Sequence, residues 1–280
     1  MNGFFENPLI LSALVAGLAA SVVGGTVGTF VVVRRISFIS GSISHSVLAG
    51  IGLFLWLERV HGFPPVSPIF GALVAAIASA FFIARAERTF KEREDSVIAT
   101  VWAAGMALGI VLIAKTPGYT SELSTVLIGN ILWVSRHDVI VLIILALISS
   151  IYVTLKFQKL KLLVFDTDEA KIQGIPVDRL YTELLMLVAI TVVALTQTVG
   201  IVLVMTMLTL PQLLSGLFCM RLSTMVFWSI AISAACSTLG LGIAYLFDWP
   251  AGASIALVSI VLYVLGMATK QSVLSLRNRS

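Results

Sequence analysis

The chain has 280 residues, of which 59% are hydrophobic and only 11% are charged. Soluble domains carry about 25% charged residues, so this composition excludes a soluble domain, and the scarcity of charge also excludes a disordered chain. The formal net charge is +4. The positions of the Lys and Arg residues show whether this positive charge indicates nucleic-acid binding or membrane topology.

Long runs without an Asp, Glu, Lys or Arg occupy most of the chain. A membrane-spanning helix needs about 20 mainly apolar residues. Such runs cover residues 9–33, 36–57, 62–84, 96–114, 139–155, 184–217, 222–247 and 249–269. The run 184–217 is too long for one span, so we divide it near 198–200 and expect one half to be a short or broken helix. The sequence therefore predicts an all-α integral membrane protein, one transmembrane domain over 1–280, with about nine transmembrane helices; eight or ten are alternatives.

The basic residues test this arrangement, because Lys and Arg accumulate in cytoplasmic loops. Of the 18 Lys and Arg, 15 fall in one set of alternate loops, and only Arg59, Lys115 and Arg136 fall in the other. The bias predicts a multi-pass protein of the cell (cytoplasmic) membrane with its N-terminus outside and its C-terminus inside. It also removes the support for a nucleic-acid partner. No cleaved signal peptide is expected, since the first eight residues lack Lys and Arg.

Three further features of the sequence predict local structure. Glycines at 24, 25, 28, 50, 105 and 109 predict close helix contacts, since small residues let helix backbones approach in lipid. Polar residues interrupt the segment 119–136, which predicts either an amphipathic or re-entrant helix or a helix lying on the membrane surface. Cys219 and Cys236 stand in apolar stretches and are interpreted as small core residues.

The longest inner loop, at about 156–180, contains a short helix. Asp166 is a predicted N-cap with Glu169 as the reciprocal capping-box residue, and Gly174 before a proline suits the helix end. So short a helix must pack on something. It either packs against the protein's own helix ends or acts as a coupling helix that inserts into a separate cytoplasmic motor. The candidate coupling residues are Phe165, Asp166, Glu169, Ala170, Ile172 and Gly174.

His45 is the one ionisable side chain deep within a predicted span. Such residues are costly in lipid and are functional candidates by default. The alternative is that His45 only bridges two helices and that the nearby serines only bond to their own helix. Because imidazole is a common ligand for zinc, iron and related ions, the candidate metal pathway consists of His45, Ser44 and Ser42. His61 and His137 lie near the outer ends of spans and are interpreted as interfacial residues.

Sequence motifs for catalysis are missing. The chain has no GxxxxGK[ST], GxSxG or HExxH, so it is not expected to be an enzyme, and energy must come from a partner. The spans also lack the buried carboxylates that a secondary transporter usually needs.

Several segments, in this order, resemble the permease family of ATP-binding-cassette importers for manganese, zinc and iron. They are residues 34–38 (RRISF), 40–50 (SGSISHSVLAG), 93–95 (RED), 129–132 (GNIL), 165–174 (FDTDEAKIQG), 199–204 (VGIVLV) and 248–252 (DWPAG). The resemblance implies a cobalamin-importer-like (type II) permease bundle, paired with a second copy or a related permease. It implies a cytoplasmic ATPase on the coupling helices and an extracytoplasmic metal-binding protein. No cofactor is expected to be bound permanently; the divalent metal ion is the transported substrate.

One position departs from the family. Many members have an Asp four residues before the histidine, where this chain has Gly41. His45 therefore lacks that carboxylate, which argues against a hard-ion, manganese-type site, since hard ions prefer oxygen ligands. The leading hypothesis is the permease of an ATP-driven importer of zinc, manganese or iron. The alternatives are a permease for a metal chelate or cobalamin, an ion-gradient-driven secondary transporter, and a membrane scaffold without cargo.

Overall fold

The computed structural model describes residues 8–64, 67–90, 93–118, 131 and 134–277. These residues form eleven helices, which we number in chain order. They are α1 (Pro8–Val33), α2 (Ile39–His61), α3 (Pro68–Phe90), α4 (Glu94–Lys115), α5 (Arg136–Phe165), α6 (Thr167–Ile172), α7 (Val177–Val199), α8 (Ile201–Met207), α9 (Leu210–Phe218), α10 (Leu222–Phe247) and α11 (Ala251–Arg277). Within the described residues, nine helical segments are long and apolar enough to cross a membrane. The predicted all-α membrane fold with about nine spans is confirmed.

The chain divides into two compact units. One contains the described residues of Met1–Val32, Asn130–Leu155 and Thr198–Ser280, and the other those of Val33–Gly129 and Lys156–Gln197. We call them the α1 unit and the α2 unit and describe each by itself. The α2 unit carries His45 and the short helix α6, so it contains every candidate pathway and coupling residue of the sequence analysis.

Helices of the α2 unit contact each other backbone to backbone. A Cβ atom added at Gly50 of α2 would lie 2.2 Å from the Gly71 carbonyl oxygen of α3. A Cβ atom added at Gly105 of α4 would lie 2.9 Å from the backbone nitrogen of Ser46. At these distances there is room only for the hydrogen atom that a glycine has in place of a side chain. The predicted packing role of Gly50 and Gly105 is confirmed.

Adding one methyl group at Gly50 is expected to destabilise the protein, because the facing atom is backbone and cannot rotate away. For Gly50→Ala we expect a loss of about 1–3 kcal/mol, the usual cost of overpacking a tight contact. The control is Gly242→Ala in α10, where a Cβ would meet nothing within 4 Å. Thermal unfolding in detergent measures the stability of the Gly50→Ala and Gly242→Ala variants. Equal melting temperatures would contradict the contact between α2 and α3.

The long apolar run 184–217 is broken where the sequence predicts it. Helix α7 ends at Val199, and Gly200 has a φ of +83°, in the region that favours glycine. The span after Gly200 is itself interrupted, because α8 ends at Met207 and α9 begins at Leu210. The prediction of a short or broken helix in this run is confirmed.

A buried glutamine of the α1 unit satisfies the backbone at this break. Gln212 is fully buried, and its Nε2 donates to the Met207 carbonyl oxygen at 2.8 Å and to the Gly24 carbonyl oxygen at 2.7 Å. Irregular backbone at membrane depth is tolerated only when protein or water satisfies it. Gly28 leaves room for this amide, since a Cβ there would lie 2.9 Å from Nε2. The small residues of α1 thus make room for the broken span.

Helix α5 extends ten residues beyond the predicted span. The segment 156–165 was expected to begin a loop, but it continues the helix to Phe165. Leu160 and Leu163 are fully buried, so the apolar face persists, whereas Lys159 and Lys161 are exposed. The physical reason for the error is that charged residues on one face end an uncharged run without ending a helix. Most of the segment 119–136 lies outside the described residues.

Candidate functional site

His45 lies in the first half of α2 beside an aromatic ring of α4. Its imidazole stacks on the Trp102 ring, with centroids 5.2 Å apart and an interplanar angle of 21°. Its Nδ1 atom is buried, and the described part of the chain supplies it with no hydrogen-bond partner. The ring is therefore held by stacking, and Nδ1 does not bridge two helices.

The two pathway serines differ in their hydrogen bonding. Ser42 donates its hydroxyl to the Ile98 carbonyl oxygen of α4 at 3.0 Å, so this donor joins two helices. Ser44 is fully buried, and no described group bonds to its Oγ. Ser46, one turn after Ser42, donates to the Ser42 carbonyl oxygen, as the helix-internal alternative proposed for serines. Of these three serines, Ser44 is the one whose hydroxyl has no hydrogen-bond partner among the described residues.

Two threonines of α7 also have buried hydroxyls without a hydrogen-bond partner. Thr191 and Thr196 are buried, and their Oγ1 atoms lack a hydrogen-bond partner among the described residues. An unsatisfied buried polar group costs roughly 1–3 kcal/mol, so each such atom calls for an explanation. Sequence reasoning missed both residues, because a threonine in an apolar run usually bonds to its own helix. The available signal was that both threonines stand within the uncharged run 184–217.

Other candidate ligands stay apart in the described residues. No group of three or more His, Cys, Asp or Glu side chains comes together there in a way that could hold a metal ion. His61 and His137 are exposed, and His61 packs edge-on against Trp56 at 4.4 Å. Cys219 and Cys236 are free thiols, and Cys236 is buried.

The short helix α6 begins and ends largely as the sequence predicts. The Asp166 carboxylate accepts a hydrogen bond from the Glu169 backbone N–H at 2.9 Å, which confirms the N-cap. Gly174 has a φ of +72°, as expected of a glycine after a helix. The reciprocal half of the capping box was a wrong prediction. The Asp166 N–H donates to the Leu162 carbonyl oxygen, because α5 continues to this point, and the Glu169 carboxylate accepts from Gln173 instead.

The coupling candidates divide into inward and outward residues. Ala170 is fully buried, so it seats α6 on the protein's own chain and offers no surface to a partner. Phe165 is 63% exposed and Ile172 is 81% exposed. Helix α6 therefore packs on the protein's own chain through Ala170, as the first alternative states. The coupling role stays a prediction. Two large apolar side chains are exposed beside it, Phe165 at the end of α5 and Ile172 at the end of α6.

These observations define a polytopic α-helical membrane protein with unsatisfied polar atoms buried in its spans and with exposed Phe165 and Ile172 side chains around α6. The chain belongs to the ABC 3 transport family, which matches residues 6–270. The predicted resemblance to permeases of ATP-binding-cassette metal importers is confirmed.

Related proteins are similar to this chain over nearly its whole length. A probable metal transport system membrane protein of Chlamydia muridarum is 38% identical over 265 residues, which are 95% of this chain and 90% of the relative. The manganese transport system membrane protein MntC of Halalkalibacterium halodurans is 32% identical over 97% of this chain and 93% of its own. A chain of the structure of PsaBC from Streptococcus pneumoniae in complex with Fab superposes with a TM-score of 0.82. It is 29% identical and covers 99% of this chain and 98% of its own.

Proposed function

We propose that this chain is the membrane permease subunit of an ATP-driven importer of a divalent transition-metal ion. The observation that carries the proposal is that one span contains two buried polar atoms without a hydrogen-bond partner among the described residues, Nδ1 of His45 and Oγ of Ser44. A neutral imidazole is a usual ligand for such ions. The names of the relatives, one a metal and one a manganese transport protein, support the same cargo.

The unsatisfied atoms suit a transit site better than a storage site. His45 and Ser44 offer one nitrogen and one hydroxyl, and Thr191 and Thr196 add further hydroxyls in the same unit. A hydrated ion passing through the spans would satisfy these atoms in turn, which removes the cost of burying them. A site with few ligands also releases its ion readily. Ser42 would hold α4 in place beside this route.

Energy would come from a separate ATP-binding-cassette ATPase seated on α6. Closure of the ATPase on ATP would move α6 and reorient the spans, giving alternating access to the metal route. An extracytoplasmic metal-binding protein would deliver the ion, and a second copy or a related permease would complete the pore. The bias of basic residues supports an N-terminus outside and α6 on the cytoplasmic side.

Manganese is the first ion to test, because of the name of the MntC relative. Gly41 argues in the other direction, since a glycine one turn before His45 supplies no carboxylate to a hard ion. Transport of manganese, zinc and iron is therefore measured side by side.

Reconstituted transport tests the proposal. The permease is co-purified with its ATPase, placed in liposomes with the metal-binding protein, and assayed with manganese-54, zinc-65 and iron-55. We expect accumulation of at least one ion with ATP and none with a non-hydrolysable analogue. Accumulation of cobalamin or a metal chelate alone would favour the wider-pore alternative. Accumulation driven by an ion gradient without ATP would overturn the proposal.

A further inference from the structure

The segments on either side of α6 are tied to each other within the α2 unit. Lys156 of α5 forms an ion pair with Glu183 of α7, and Arg179 also reaches Glu183, at 3.1 Å. Asp166 continues the hydrogen-bonding of α5 into the start of α6. The Lys156–Glu183 ion pair thus links α5 to α7, and the backbone hydrogen bond of Asp166 links α5 to α6.

A second group of side chains links α5 and α7 to other parts of the same unit. We call Arg34, Glu94 and Tyr181 the Tyr181 cluster. Tyr181 of α7 is 3% exposed, and its O–H donates to the Glu94 carboxylate of α4. The Arg34 guanidinium lies 5.4 Å from the centre of the Tyr181 ring, and its Nη1 donates to the Leu163 carbonyl oxygen of α5 at 3.3 Å. A hydrogen bond to a carboxylate and a cation over an aromatic ring are both stronger when shielded from water.

Helix α4 continues from this cluster to His45. Glu94 is its first residue and Trp102 stands eight residues later, about 12 Å along the axis at 1.5 Å per residue. Between them, the Ile98 carbonyl accepts the Ser42 hydroxyl, and Trp102 itself stacks on the imidazole. Gly105 then packs directly on the backbone of Ser46. A rigid helix thus has the Tyr181 cluster at one end and the candidate metal ligand beside its middle.

We propose that the Tyr181 cluster is the linkage through which displacement of α6 is transmitted to α4 and so to the His45 imidazole. The inference rests on the proposed function and assigns Arg34, Glu94 and Tyr181 as positioning residues for transport. A cluster that only stabilises the fold would make the same contacts. The two roles differ in one respect, which is whether ATP hydrolysis stays coupled to metal movement when the contact is lost.

The experiment measures the ratio of metal ions transported to ATP hydrolysed in the reconstituted complex. Tyr181→Phe keeps the ring that faces Arg34 and removes the hydroxyl that donates to Glu94. Glu94→Gln removes the charge of the acceptor. The matched control is Thr182→Val on the next residue of α7, whose hydroxyl donates to the Asp178 carbonyl oxygen of its own helix. Thermal unfolding and co-purification of the ATPase are measured for every variant.

We expect Tyr181→Phe and Glu94→Gln each to lower the transport ratio about fivefold or more, in the usual range of coupling between sites. ATPase binding should be unchanged. The double variant should be no worse than either single one, because both changes break the same contact. A ratio equal to that of wild type and Thr182→Val would overturn the inference, as would effects that multiply. If the wild-type complex itself moved no metal with ATP, the proposed function would fail first, so the two failures are distinguishable.

Discussion

Replacing His45 by alanine is expected to reduce ATP-dependent metal uptake at least about tenfold, because loss of an outer-shell partner of a metal ligand alone costs about 10- to 100-fold. The physical reason is that, in the proposed function, the imidazole supplies a nitrogen ligand to the ion, and the Ser44 hydroxyl would be a weaker ligand. Uptake of the radioactive ion in proteoliposomes, at several metal concentrations, measures the effect. Binding of the ATPase should be unaffected, because α6 is unchanged.

His61→Ala is the matched control, since His61 belongs to the same helix but is exposed and packs on Trp56. It should transport as wild type does. His45→Gln separates a ligand role from a packing role, because its amide can occupy the space and bond but is a poor ligand for a soft ion. Undiminished uptake of all three ions by His45→Ala would remove His45 from the metal route and leave its unpaired nitrogen unexplained.

The fold was largely predictable because lipid restricts composition so strongly. Spanning segments must be apolar and helical, so runs without charge locate them. The same restriction made the interruption at Gly200 visible, since 34 apolar residues exceed one span and a glycine can adopt the positive φ found there. The roles of Asp166 and Gly174 at the two ends of α6 were also predictable, because helix ends depend on local hydrogen bonding and backbone conformation.

The candidate site was less predictable, because it depends on which helices meet. The stacking of Trp102 on His45 joins residues 57 positions apart, and nothing in either local sequence indicates it. The same holds for Tyr181 and Glu94, which lie on different helices. Thr191 and Thr196 look like ordinary helix-bonded threonines until their hydroxyls prove unsatisfied. Local patterns thus indicated the candidate ligand His45 and the candidate coupling helix α6, whereas the contacts around them depend on tertiary packing.

Replacing Ile172 by aspartate is expected to weaken association with the ATPase by about 30-fold or more, which corresponds to the loss of at least about 2 kcal/mol typical of an interface hot spot. Ile172 is 81% exposed, so the change leaves the packing of α6 intact, while a charge would enter an apolar contact. Co-purification and titration of the purified ATPase onto the permease measure it. Ala170 is unsuitable for this test, because it is fully buried and a charge there would unseat α6.

The matched control is Phe63→Asp, which places the same charge on an apolar residue that is 59% exposed between α2 and α3. The distribution of Lys and Arg assigns this residue to the outer side of the membrane and Ile172 to the inner side. We therefore expect Phe63→Asp to retain the ATPase fully. If the Ile172→Asp variant retained the ATPase, α6 would be excluded as the docking element. If the Phe63→Asp variant lost the ATPase and Ile172→Asp did not, the proposed orientation in the membrane would be reversed. Because the proposed docking residue and the proposed metal ligand lie on different helices of the α2 unit, we expect Ile172→Asp to abolish ATP-driven uptake and to leave binding of the ion at His45 unchanged.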